Sequence, residues 1–154
     1  MAYLNFDEER IDLTPIILYV DYINIQYKDY LKKNYDDLTP RDVTYLVNIF
    51  YNQDISQRQL SELLCVSESN VTQIIKKLEK NQFLTRSPSE DNKSRKVIHL
   101  TEKGRVTTMK LIKLFYEREA KFFENYDEYE IKLFKKLIHD YAEYSVHSKN
   151  NFKY

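Results

Sequence analysis

The sequence predicts a mainly α-helical protein that carries one small β-hairpin. Three observations lead there. The 154 residues include a single Gly and three Pro, so few positions can take the positive φ that tight-turn β architectures need. Apolar residues recur at helical spacing in six segments. Between the fourth and fifth, two short β-capable runs, Phe83-Leu84-Thr85-Arg86 and Arg95-Lys96-Val97-Ile98-His99-Leu100, flank a polar stretch. That is the pattern of a hairpin with a long tip. Hydrophobic content of 42% with 14% aromatics excludes a disordered chain.

The elements follow in order. Leu13-Thr14-Pro15 and Leu38-Thr39-Pro40 mark two helix starts. Thr is a good N-cap and Pro suits the first helical position. Leu13 would staple onto Leu18, and Leu38 onto Val43. The first helix runs from Pro15 to Asn34, with Ile16, Val20, Ile23, Tyr27, Tyr30 and Leu31 as its stripe; Phe6 and Ile11 belong to a preceding turn or arm. The second runs from Pro40 to Asn52, with Asp42 in its first turn, where negative charge is favoured. A short third helix is capped by Ser56 and turns Leu60, Leu63 and Leu64 inward. The fourth is capped by Ser67, with Val71, Ile74, Ile75 and Leu78 at i, i+3, i+4 and i+7. Ser69, Gln73, Lys76 and Lys80 fall on its opposite face, with Asn70, Thr72 and Lys77 on the shoulders. Thr101 caps a fifth helix to Asn125, with Val106, Met109, Ile112, Phe115 and Tyr116 inward. Asp127 and Glu130 have capping-box spacing and open a sixth helix to Ser148, striped by Ile131, Phe134, Leu137, Ile138, Tyr141 and Tyr144.

Charge and composition narrow the function classes. Net charge is zero, yet residues 56–105 hold ten Lys/Arg against six Asp/Glu, a basic middle between acidic flanks. No apolar run reaches the ~18 residues of a membrane span. The single cysteine excludes an internal disulfide and fits a reducing compartment. A cytoplasmic protein without membrane attachment is expected. One Gly cannot build a phosphate-binding loop or a dinucleotide fingerprint, and no Ser/His/Asp or metal-ligand spacing stands out. The sequence therefore predicts neither an enzyme nor a resident cofactor or metal.

Two short helices, a tight turn and a basic hairpin follow the order of a winged helix-turn-helix. A helix fits the major groove of B-DNA, where polar side chains reach base edges. A flanking hairpin can put Arg or Lys over the adjacent minor groove. The same unit also serves as a protein-interaction module without specific DNA binding, and the pattern leaves both readings open.

The segment from Ile55 to Arg105 resembles the core of the MarR family of transcriptional regulators. The matching pieces are Gln59-Leu60-Ser61-Glu62-Leu63-Leu64, Val66-Ser67, Val71-Thr72, Leu78-Glu79-Lys80, Leu84-Thr85-Arg86 and Leu100-Thr101-Glu102-Lys103-Gly104-Arg105. The resemblance implies one domain over 1–154, with 1–37 and 104–154 forming a helical dimerisation region around a winged lobe at 38–103. It implies a homodimer, and Tyr19, Tyr22, Tyr126 and Tyr129 supply apolar surface beyond what one monomer core can use. It implies a ligand-responsive repressor on a palindromic duplex operator. The base-reading positions map onto Ser69, Asn70, Thr72, Gln73, Lys76 and Lys77. Gln73 stands where many members carry Arg, and Lys76 where an acidic residue is frequent. In the wing, members carry Asp with Arg two residues later; those positions fall on Asn92 and Ser94, or on Asp91 and Lys93 in a wing one residue longer. Lys93 and Arg95 are therefore the expected minor-groove or phosphate contacts, and Arg86 a support or phosphate contact. Gln82 replaces a near-standard Gly that adopts the left-handed conformation; Asn81 tolerates it better and would end the helix one residue early.

Other candidates have plainer readings. Cys65 is expected to be a buried small apolar residue. His139 and His147 lack an accompanying carboxylate shell and read as ordinary surface or interface histidines. A small aromatic or lipophilic effector, as the family often binds, would meet Tyr19, Tyr22, Tyr45 and Tyr116.

Overall fold

A computed structural model describes residues 8–35 and 38–148; Phe6 lies outside the described residues. A short 3-10 helix, Glu8–Leu13, precedes α1, Ile16–Asn34. Pro15, and not Thr14, occupies the N-cap of α1, and no side-chain cap hydrogen bond is made. Leu13 and Leu18 are both exposed, so the expected staple is not used. The second copy of the motif behaves as read. In α2, Pro40–Tyr51, Thr39 and Asp42 form a reciprocal capping box with Pro40 first in the helix. Leu38 and Val43 both join the core.

The winged lobe continues with β1, Ile55–Ser56, α3, Gln57–Leu63, α4, Glu68–Lys80, β2, Leu84–Pro88, and β3, Lys96–Leu100. The two-residue strand β1 completes a three-stranded antiparallel sheet in the order β1-β3-β2. Ile55 faces Ile98, and Leu84 faces Leu100. Phe83, expected within the first wing strand, is instead a buried residue leading into it. Leu31, Leu46, Leu60, Val71, Ile75, Leu78, Ile98 and Leu111 are fully buried and make the centre of the core. Each such burial contributes roughly 1.5–3 kcal/mol. Leu63, expected inward, is half exposed.

Helix α5, Glu102–Phe122, runs on through a 3-10 turn, Phe123–Asn125, and is followed by α6, Glu128–His147. The α5 face against the core carries Gly104, Thr108 and Leu111. Val106, Met109 and Tyr116, read as inward, are exposed. The expected stripes of α1 and α6 are real, but most of each is uncovered. Leu31 is the only buried residue of α1, and α6 buries none. Among the described residues, exposed large apolar side chains lie almost entirely within segments 11–25 and 106–146; Tyr51 and Leu63 are the exceptions.

Candidate nucleic-acid interface

The site is built from two helix ends that stop the chain cleanly. Ser56 and Gln59 form a capping box at the start of α3. At its end the Cys65 N–H donates to the Glu62 carbonyl (3.2 Å) and the Val66 N–H to that of Ser61 (3.0 Å). That is a Schellman motif, and it holds Cys65 at φ 52°. Cys65 is therefore exposed and not the buried residue expected: its left-handed backbone turns the side chain out of the lobe. The end of α4 repeats the device. Gln82 N–H donates to Glu79 (3.0 Å) and Phe83 N–H to Leu78 (2.9 Å), with Gln82 itself at φ 62°. Asn81 keeps φ at −86°, so it does not take over the left-handed position.

Between these ends Ser67 caps α4, accepting from the Asn70 N–H. Val71, Ile75 and Leu78 are fully buried. That fixes the outward face: Ser69, Gln73 and Lys76 are exposed, and Asn70 is half-buried on the shoulder.

Three of the expected contact residues turn back into the lobe. Lys77 makes an ion pair with Asp42, whose side chain is completely buried. The Thr72 hydroxyl accepts from Gln57 Nε2 at 3.1 Å. Arg86 grips Glu79 with two bonds, Nε to Oε1 at 3.2 Å and Nη2 to Oε2 at 2.5 Å, and reaches Gln57 Oε1 at 3.4 Å. Gln57, Thr72, Glu79 and Arg86 thus lock α3, α4 and β2 together.

At the wing tip Asn92 Oδ1 accepts from the Ser94 N–H (3.0 Å) and hydroxyl (2.6 Å). The side chain of Asn92 thus bends the tip toward Ser94. No cation stands at the second position of that pair; Lys93 and Arg95 flank it, both exposed. Arg95 Nη2 lies 3.5 Å from Gln59 Oε1, which ties the wing to the start of α3. At the wing base Ser87 Oγ lies 2.7 Å from His99 Nε2, and His99 Nδ1 3.4 Å from Asp54. This Ser/His/Asp line was invisible in the spacing, and it pins both wing strands to the loop after α2.

The four tyrosines assigned to an effector do not converge. Tyr45 is buried in the core, Tyr116 is exposed, and Tyr19 and Tyr22 are half-buried on α1. An apolar cleft of about 280 Å³ lies between α1 and α5, lined by Ile23, Tyr27, Tyr30, Leu114, Phe115 and Arg118. Tyr27 meets Phe115 edge to face at 5.6 Å, and burial pushes its hydroxyl up to about 12. The helical stripe of α1 already contained Tyr27 and Tyr30; only their pairing with α5 was missing from the sequence.

The histidine reading also changes. His139 does have carboxylates beside it, Asp140 and Glu143, with ligand atoms within 4.8 Å of one another. All three are exposed. The hydrogen bond from Lys136, and then that from His139, hold the Asp140 carboxyl below its ordinary value. No helix among the described residues is long and apolar enough to cross a membrane.

Two short capped helices, a three-stranded sheet and a basic hairpin define a winged helix-turn-helix lobe. Residues 38–97 match the model of the MarR family. The Bacillus subtilis (strain 168) HTH-type transcriptional regulator YybA, itself uncharacterized, is 39% identical over 82 residues, 53% of this chain and 51% of that protein. The match thus spans about half the length of the relative. Among solved structures, Streptococcus pneumoniae FabT in complex with DNA superposes with a TM-score of 0.79 at 21% identity, covering 93% of this chain and all of that one. The Staphylococcus aureus MepR–DNA complex gives 0.69 at 18% identity, over 83% and 93% of the two chains. At these identities the likeness establishes the fold.

Proposed function

We propose that the protein is a sequence-specific duplex-DNA-binding regulator that acts as a homodimer. The supporting observation is the split of α4 into a buried apolar stripe and an exposed polar face. Ser69, Asn70, Gln73 and Lys76 stand on that face, beside a wing that carries Lys93 and Arg95. Gln73 and Asn70 have the donor–acceptor pair that suits adenine, and Lys76 the charge for phosphate or guanine. Thr72 and Arg86 brace the lobe and do not read bases. The uncovered apolar faces of α1, α5 and α6 support a two-fold partner. The domain division follows, with 38–103 binding and 1–37 with 104–154 pairing. The relatives solved with DNA share this fold, which favours duplex binding over a protein-only module.

The α1–α5 cleft is the place for a small aromatic or lipophilic effector. A ligand preferring the lobe spacing unsuited to DNA releases the operator by that preference and no more, the behaviour of a repressor relieved by its ligand.

Selection of bound fragments from a random duplex pool tests this. The expected result is an inverted repeat with half-sites about one helical turn apart. Changing Lys76, Lys93 and Arg95 together to Ala should abolish binding. Recovery of duplexes without any enriched sequence would overturn the proposal.

A further inference from the structure

The basic residues of the recognition helix divide into two kinds. One residue of α-helix rotates a side chain by about 100°. That rotation leaves Lys76 in solvent and sends Lys77 back toward α2. There it meets Asp42, 35 residues earlier in the sequence. The Asp42 side chain is 0% exposed. Its Oδ2 accepts from the Thr39 N–H and from the Thr39 hydroxyl, each at 2.8 Å, as well as from Lys77. Its Oδ1 is buried and has no hydrogen-bond partner among the described residues. A carboxylate buried this deeply is costly unless it is paired and hydrogen-bonded, and Lys77 is the cation paired with it.

The pair also joins two parts of the molecule that must keep their relation. Asp42 lies in the first turn of α2. Its neighbours Pro40, Arg41 and Thr44 share a surface groove with Asn24, Tyr27 and Lys28 of α1. Lys77 lies in the last turns of α4. Apolar contacts along Val71, Ile75 and Leu78 hold α4 against the lobe, but the hydrophobic effect itself has no direction. A charge-assisted bond to one fixed oxygen adds one.

We propose that Asp42 and Lys77 are a positioning pair that sets the angle of the recognition helix, and that Lys77 acts through Asp42 and not by touching phosphate. This rests on the DNA-binding reading above.

The test uses fluorescence anisotropy on two labelled duplexes, one enriched by the wild-type chain and one scrambled. It is run across a salt series at a temperature where circular dichroism shows every variant folded. Lys77→Met should weaken binding to the enriched duplex about tenfold, as losing one well-made base contact does. It should barely change the scrambled duplex and leave the salt slope intact. Lys77→Arg, which keeps the cation, should restore the preference. Lys76→Ala should weaken both duplexes and lower the slope by about 0.9, the signature of one phosphate contact. In melting, the double variant Asp42→Asn/Lys77→Met should exceed Lys77→Met alone, because it leaves no unpaired buried charge.

A slope loss in Lys77→Met like that of Lys76→Ala, equal weakening on both duplexes, or additive melting losses would each overturn the pair. If the wild-type chain binds no duplex even at low salt, the DNA reading falls, and the positioning role falls with it. A wild type that binds while Lys77→Met loses slope removes the pair alone.

Discussion

Gly104 is the only glycine in the chain, and its place explains why. A Cβ built there would stand 1.9 Å from the Phe83 carbonyl oxygen. That oxygen accepts from the Thr101 N–H at 3.0 Å, so the first turn of α5 is pressed onto the segment entering the wing. Backbone cannot yield as a side-chain tip can. Gly104→Ala should therefore lower stability by about 1–3 kcal/mol, read as a fall in melting temperature. An unchanged melting point would show that the close approach is not maintained in solution. The opposite change is expected where side-chain residues hold left-handed backbone. Cys65 and Gln82 sit at φ 52° and 62°, conformations that disfavour any residue with a Cβ. Cys65→Gly and Gln82→Gly should each gain about 0.5–1 kcal/mol, the relief of strain less the added freedom of the unfolded chain. The two turns share no hydrogen-bond partner, so the gains should add. A loss at either site in chemical denaturation would show that its Schellman turn carries no strain.

At the scale of elements, the α1–α5 seam gives a pH-dependent prediction. Tyr27 packs on Phe115, and burial raises its hydroxyl from 10.0 to about 12. The folded state therefore keeps the proton where the unfolded chain releases it. Stability should be full below pH 10 and decline as pH rises from 10 toward 12. Tyr27→Phe should flatten that decline in equilibrium unfolding, and an unchanged alkaline limb would remove Tyr27 as its source. How far such elements were legible depended on the range of the signal. Helix starts at Thr39, Ser56, Ser67, Thr101 and Asp127 were readable because a cap is local chemistry, and all five cap as read. The core face of α5 was misread because Gly104 and Thr108 carry no apolar signal, though both are buried. Two residues were too few to announce β1. On α4, periodicity found the exposed face. It put Lys76 on that face and Lys77 on the shoulder, but it could not show that Lys77 turns inward, because its partner Asp42 lies 35 residues away. The Arg86–Gln57 contact crosses 29 residues and was equally hidden.

The whole molecule has more apolar surface than its own core uses. Leu133, Phe134, Leu137 and Ile138 on α6, and Ile16, Ile17, Leu18 and Ile23 on α1, are all exposed, in a chain whose mean hydropathy of −0.65 marks it as otherwise polar. A monomeric fold gains nothing from these side chains, and this much exposed apolar surface on two helices suits an interaction surface. A second copy fits, because a two-fold contact lets one patch cover its own equivalent and leaves no apolar face open. Two consequences separate this from a monomer with a greasy surface. Analytical ultracentrifugation should give twice the 18.7 kDa chain mass, and the melting temperature should rise with protein concentration, since association stabilises by mass action. Leu133→Glu with Leu137→Glu should then produce a monomer of lower melting temperature. It should also lose most of its affinity for a two-half-site duplex, because each lobe would bind alone without the gain of a linked second contact. In a true monomer the same two changes replace exposed side chains with charged ones and should cost within about 0.5 kcal/mol. Wild-type protein that sediments at 18.7 kDa with a concentration-independent melting point would exclude the dimer. The apolar faces would then require a different partner.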